Sequence, residues 1–180
     1  MKKGFNFMVS INTNDLSALQ NLKVGDEVEL SGTIYTARDA AHKKLIAMLK
    51  SNTKLPFDIN GAFIYYAGPT PAKNGMAVGS IGPTTSSRMD IFTPTLIENG
   101  LRGMIGKGNR NDDVINACIK YGAVYFCAIG GAGALYSKFV KKATVIAFEE
   151  LGCESIKKLE IENFPLIVGI DSKGNNIFVH

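Results

Sequence analysis

Apolar positions recur along this chain in two rhythms, one of two residues and one of three to four. Over 26–35 (DEVELSGTIY), Val28, Leu30 and Ile34 keep a partly alternating pattern that Gly32 interrupts, which predicts a strand. The rhythm then changes. Ala41, Leu45, Met48 and Leu49 follow helical spacing, predicting a helix from Thr36 or Ala37 to about Lys50 with Thr36 as its N-cap. Upstream, 14–22 (NDLSALQNL) reads as a short helix or turn; downstream, GAFIYYA (61–67) reads as a buried strand. A proline-rich turn at 68–75 leads to a further expected strand, MAVGSI (76–81).

The second half alternates more regularly. A helix at about 93–99 stops at Gly100 and is followed by a short strand, RGMIG. The helix predicted over 111–121 has Asp112 and Asp113 in its first turn, where carboxylates complement the dipole, and Gly122 just past its end. Then come a strand at 123–130, a glycine-rich turn with a short helix at 131–140 and a strand ATVIAFE (143–149). The tail reads as strands broken by Pro165 and by the turn SKGNN. Strands alternating with helices give an α/β domain with some antiparallel pairing at its two ends. Residues 1–180 are read as one domain, with 1–23 an N-terminal extension of it.

Composition narrows the function classes. The chain has 180 residues, 46% of them hydrophobic, enough for a sizeable core. Its net charge of +4 is mild, and the lysine pairs (Lys43/Lys44, Lys141/Lys142, Lys157/Lys158) are scattered without interleaved aromatics, which argues against nucleic acid. No run approaches the length of a membrane span, and Asn6, Ser10, Asn12 and Asn14 interrupt what could pass for a signal peptide. Three cysteines in apolar surroundings fit reduced thiols in a cytoplasm. With no CxxC spacing and two histidines, one of them His180, the sequence offers no metal site of its own.

The basic residues are unevenly divided. Only four are arginines (Arg38, Arg88, Arg102, Arg110), and three of these lie in Gly-, Ser- and Thr-rich passages: TIYTARDAAHKK (33–44), GPTTSSRMD (82–90) and GKGNR (106–110). Arginine's planar fork matches carboxylate and phosphate oxygens, so such placement suggests a small polyanion. In GPTTSSRMD, a helical turn would put Thr84 and Arg88 on one face and leave N–H groups free for an anion; alternatively, the hydroxyls only cap a helix and Arg88 forms a surface ion pair. Lys107, between two glycines, is either a presented point charge or an exposed turn lysine. Arg38 in the first turn of its helix opposes the dipole, a penalty that a ligand carboxylate or Asp39 would offset. His42 reads as a surface or packed residue rather than a catalytic one. The glycines of IGGAGALYSKF (129–139) do not match GxGxxG, and tight strand–helix packing explains them better. Binding groups are present without an acid/base pair, as in half of an active site.

Taken together and in this order, LSGTIYTARDAAHKK, GPTTSSRMD and MIGKGNR resemble the β subunit of class I (iron–sulfur) fumarases and tartrate dehydratases, and the tail ENFPLIVGIDSKGNNIF is similar too. The resemblance runs from about Val24 to the C-terminus, a region that is the C-terminal domain of the single-chain enzymes. It implies a swivelling β/β/α domain with a mixed sheet flanked by helices. That domain would close over a 4Fe–4S cluster held by cysteines of a partner α subunit, in an α2β2 assembly. By position, Arg38, Arg88 and Lys107 would bind a dicarboxylate, Thr84 would be the candidate base, and the α subunit would supply the acid. Fumarate to L-malate is the first expected reaction and tartrate to oxaloacetate the second. The competing expectation is a stand-alone dicarboxylate- or anion-binding regulatory module without catalysis. The isolated chain is expected to expose an apolar docking face and could form a homodimer.

Overall fold

A computed structural model describes residues 8–179. Seven strands form a mixed sheet: β1 (Val9–Asn12), β2 (Glu27–Thr36), β3 (Phe63–Tyr65), β4 (Gly103–Gly106), β5 (Val124–Cys127), β6 (Val140–Ala147) and β7 (Ile156–Ile170). Four α-helices accompany them: α1 (Asp39–Lys50), α2 (Thr93–Glu98), α3 (Asp112–Tyr121) and the single turn α4 (Gly133–Tyr136). β2, β3, β4 and β5 run parallel to one another in that order. β7 runs antiparallel to both β5 and β2, so these five strands close on themselves as a barrel. β1 lies parallel to the first half of β2, and β6 antiparallel to the first half of β7.

The strand period of two sorts side chains onto the two faces of this closed sheet. Val28, Leu30, Ile34, Phe63, Tyr65, Ile105, Val124 and Phe126 belong to one buried cluster, the barrel interior. Their neighbours Ile64, Met104 and Tyr125 belong to a second cluster together with Ala41 and Leu45 of α1, Leu96 and Ile97 of α2, and Val114 and Cys118 of α3. Helices cannot occupy the inside of a five-stranded barrel, so this second cluster is its outer face. A mixed sheet flanked by helices is therefore the observed architecture.

Several expected elements form with their terminating signals. Asn111 accepts from the Val114 N–H at the start of α3, and Gly122 ends it in the left-handed region at φ 71°. Others differ. Thr36 does not cap α1: it stays in β2, where its Oγ1 accepts from the Lys157 N–H of β7 at 3.1 Å, and Arg38 holds the cap position without a side-chain capping bond. The expected strand at 76–81 is irregular, because the segment bonds back to its own loop through Thr70 (N–H to Ser80 O, 2.9 Å; Oγ1 from Ser80 N–H, 2.7 Å). Val78 and Ile81 nevertheless join the inner cluster.

Pro165 does not break the tail. It sits opposite Glu29 within β7, on a stretch past the β6 pairing and before the β5 pairing, where a proline's missing N–H deprives no ladder of a bond. The strand expected at 143–149 begins three residues earlier, and the short helix expected within 131–140 is α4 followed by one 3-10 turn. In the expected N-terminal extension, residues 1–7 lie outside the described residues, while Val9–Asn12 supply β1, a strand the alternation did not announce. Among the described residues no helix is long and apolar enough to cross a membrane.

Candidate active site at the carboxyl edge of the parallel strands

Because β2 to β5 are parallel neighbours, the chain leaves all four at the same edge of the barrel, the position where α/β sheets collect ligands. Arg38 lies two residues beyond β2, Lys107 one residue beyond β4, and Gly130 three residues beyond β5. The segment carrying Thr84 and Arg88 is held across this edge by backbone bonds. Thr84 N–H donates to Tyr66 O (2.7 Å), just past β3, and Ser86 N–H donates to Lys107 O (2.9 Å). Thr85 and Lys107 form a parallel bridge. Three sequence passages far apart in the chain thus meet at one edge.

The local geometry of GPTTSSRMD corrects the helical picture. Helical turns are confined to a 3-10 stretch, Ser86–Met89, and Thr85 before it is extended (φ −62°, ψ 121°). Thr84 therefore does not share a helical face with Arg88. The Thr84 and Ser86 N–H groups are occupied by neighbouring strand ends, so they are not free anion donors. Arg88 reaches back toward α1 instead, its Nε donating to Asp39 Oδ1 at 2.9 Å. Arg38 Nε lies 3.5 Å from Glu154 Oε1 and 4.0 Å from Asp39 Oδ2. Asp39 offsets Arg38 as the sequence allowed, and it also links the two site arginines.

Two glycines lie against the cations. A methyl group on Gly68 would lie tight against Cys153 O at 3.2 Å and in contact with Arg38 Cδ at 3.4 Å. Lys107 extends over Gly130, where an added Cβ would lie 3.5 Å from its Cδ and 3.8 Å from its Nζ. Arg38 and Thr84 are half-buried; Arg88 and Lys107 are exposed. Three cations against the carboxylates of Asp39 and Glu154 leave the edge net positive, suited to a dianion.

His42 is wholly buried in the wall behind Arg38. Its Nδ1 lies 2.9 Å from Arg38 O, so this nitrogen carries the proton and donates, while Nε2 is buried without a partner. Burial lowers its pKa to about 4, the bond to Arg38 only partly opposing this. A neutral packed histidine matches the sequence reading.

Sequence reasoning missed the role of Arg110 and Asp90, the residues that end two of the three passages. Both are buried; Arg110 Nε donates to Asp90 Oδ1 (2.6 Å) and Nη2 to Thr93 Oγ1 (2.9 Å). The guanidinium lies over the rings of Tyr66 and Tyr125, with its carbon 5.2 and 4.9 Å from their centroids. Burial alone would lower the Arg110 pKa, but Tyr66 and Asp90 outweigh it and raise it further. The available signal was an acid and an arginine at the ends of two glycine-rich passages.

Among the described residues no group of three or more His, Cys, Asp or Glu side chains could hold a metal ion. What the edge can do by itself is bind and orient a dianion beside a half-buried hydroxyl.

Comparison with known proteins shows the family. A family described as Fumarase C-terminus matches residues 2–180. The chain is 46% identical to a Methanocaldococcus jannaschii protein carrying the name "Putative L(+)-tartrate dehydratase subunit beta", covering 89% of this chain and 85% of that one. It is 37% identical to Escherichia coli L(+)-tartrate dehydratase subunit beta, covering 88% and 80% of the two chains. Against Escherichia coli anaerobic class I fumarate hydratase the identity is 41% over 91% of this chain, which spans only 30% of that longer protein. The chain belongs to the Fumarase C-terminus family.

Proposed function

We propose that this chain is the β subunit of an iron–sulfur-dependent hydro-lyase that reversibly hydrates a C4 dicarboxylate, with fumarate and L-malate first and tartrate and oxaloacetate second. The observation that carries the proposal is the meeting of Arg38, Thr84, Arg88 and Lys107 at one barrel edge. Two relatives named as β subunits, covered over 85% and 80% of their lengths, support a separate partner. Residues 1–180 act as one cytoplasmic domain in this reading, swivelling onto an α subunit in an α2β2 assembly; the isolated chain could form a homodimer.

In this account Arg38, Arg88 and Lys107 bind the two carboxylates and hold the C–C bond in one orientation, so that the reacting carbons need no further search. Asp39 and Glu154 yield the arginines to substrate, whose carboxylates replace the ion pairs now made. Thr84 Oγ1 lies beside the carbon that loses its proton and takes that proton up, while the hydroxide leaves from the adjacent carbon. A threonine hydroxyl holds its own proton far too tightly at neutral pH, so the surrounding cations must favour its alkoxide. The 4Fe–4S cluster on the partner would supply Lewis acidity at the departing hydroxyl, with no net redox change. The acid that meets the hydroxyl also belongs to the partner.

The test is an anaerobic assay of this chain with and without a co-expressed, cluster-loaded α subunit, using fumarate, L-malate and tartrate. Turnover in the complex alone supports the proposal, and the preferred substrate names the reaction. Dicarboxylate binding by the isolated chain, with no complex formed, favours the stand-alone binding module instead.

A further inference from the structure

One buried hydroxyl joins the two loops that carry the candidate binding residues. Tyr125 of β5 is fully buried, and its Oη lies 2.9 Å from Ser86 Oγ and 2.8 Å from Gly108 O. A phenol has one hydrogen, and a carbonyl can only accept. Tyr125 Oη–H therefore donates to Gly108 O, and Ser86 Oγ–H donates to Tyr125 Oη. Ser86 also donates its N–H to Lys107 O at 2.9 Å. The carbonyls of Lys107 and Gly108 are thus tied to the same serine, one directly and one through Tyr125. Gly106 lets Ser86 approach: a Cβ there would run into Ser86 Oγ and lie 2.8 Å from Tyr66 Cδ2. The Arg110 guanidinium over the Tyr125 ring holds the phenol from its face.

We propose that Tyr125 is a positioning residue for Lys107, setting it against the Thr84–Arg88 segment through Ser86 and Gly108. Its ring packs with the outer cluster, but its hydroxyl acts on the loops. Without the hydroxyl, the peptide after Lys107 loses its tether to Ser86, and only the backbone bridge to the Thr85–Ser86 segment is left to hold the lysine against the other cations. The inference rests on the binding-edge reading, and its test separates the two.

Tyr125→Phe keeps the ring and removes the relay. In the full chain, amide exchange across 84–88 and 106–110 is expected to quicken together by about tenfold or more, since two hydrogen bonds are lost and each is worth up to about that factor. In the reconstituted complex the dicarboxylate KM is expected to rise by about the same factor, with a smaller change in kcat. Ser86→Ala, which removes only the first of the two bonds, should give the same effects to a smaller extent, and the double variant should add nothing to Tyr125→Phe. Tyr121→Phe, which removes an exposed hydroxyl bonded to Glu98, should change neither. Unchanged exchange at 106–110, additive losses, or a lower melting temperature with KM unmoved would each overturn the proposal. A wild-type complex that turns over no dicarboxylate would sink the hydro-lyase reading, while the exchange measurement still decides the role of Tyr125.

Discussion

Asp90 receives both the Arg110 guanidinium, at 2.6 Å from Nε to Oδ1, and the backbone N–H of Asn111, at 2.8 Å to Oδ2. One carboxylate thereby joins the end of the Thr84–Arg88 segment to the loop after Lys107 and to the start of α3. The pair is almost fully removed from water, with side-chain exposures of 0% for Arg110 and 8% for Asp90. Breaking such a pair from one side strands a charge in the interior.

Asp90→Ala is accordingly expected to destabilise the chain by about 3–5 kcal/mol, lowering the thermal midpoint by roughly 10 °C for a domain of this size. Differential scanning calorimetry of the two forms checks this. An unchanged midpoint would mean that the guanidinium finds another partner.

His42 gives the fold a pH dependence whose sign follows from its lowered pKa of about 4 against an ordinary 6.5. Above 6.5 the imidazole is neutral both folded and unfolded, and its contribution is complete. Between 6.5 and about 4 only the unfolded chain takes up the proton, so stability falls as pH falls, by about 3 kcal/mol in all. Below that the loss levels off. Urea unfolding at pH 7, 5.5 and 4 should show the decline in the wild type, and His42→Gln should remove this component of it. Parallel declines in both proteins would refute the assignment.

The strand and helix periods made much of the barrel legible: β2 to β5, α1 and α3 follow their apolar patterns and turn residues. Closure was not legible. β2 and β7 pair across more than a hundred residues of sequence, and no local pattern records which strands meet. The same limit explains Pro165, tolerated because its stretch of β7 has only one of its edges paired, and the 76–81 segment, whose apolar residues plug a core from an irregular loop. At the site, Arg38, Arg88 and Lys107 were legible as arginines and a lysine among glycines and hydroxyls. The Asp90–Arg110 pair was not, because a buried ion pair and a surface one look alike in sequence.

Gly68 offers a test of how tightly Arg38 is confined. Its backbone is acceptable to alanine, but the new methyl would crowd Cys153 O at 3.2 Å while already touching Arg38 Cδ at 3.4 Å. Gly68→Ala should fold and associate normally, yet raise the dicarboxylate KM several-fold by displacing the guanidinium, as steady-state kinetics in the complex would reveal. A wild-type KM would show that Arg38 has more room than its contacts suggest.

A dicarboxylate clamp made of Arg38, Arg88 and Lys107 is the core of the proposed function. Its most direct measurement is kcat/KM of the anaerobically reconstituted complex with Arg38→Ala, alongside partner affinity. The expected result is a loss of about a hundredfold or more, several kcal/mol of transition-state stabilisation, with partner affinity unchanged. Undiminished turnover by that variant would contradict it.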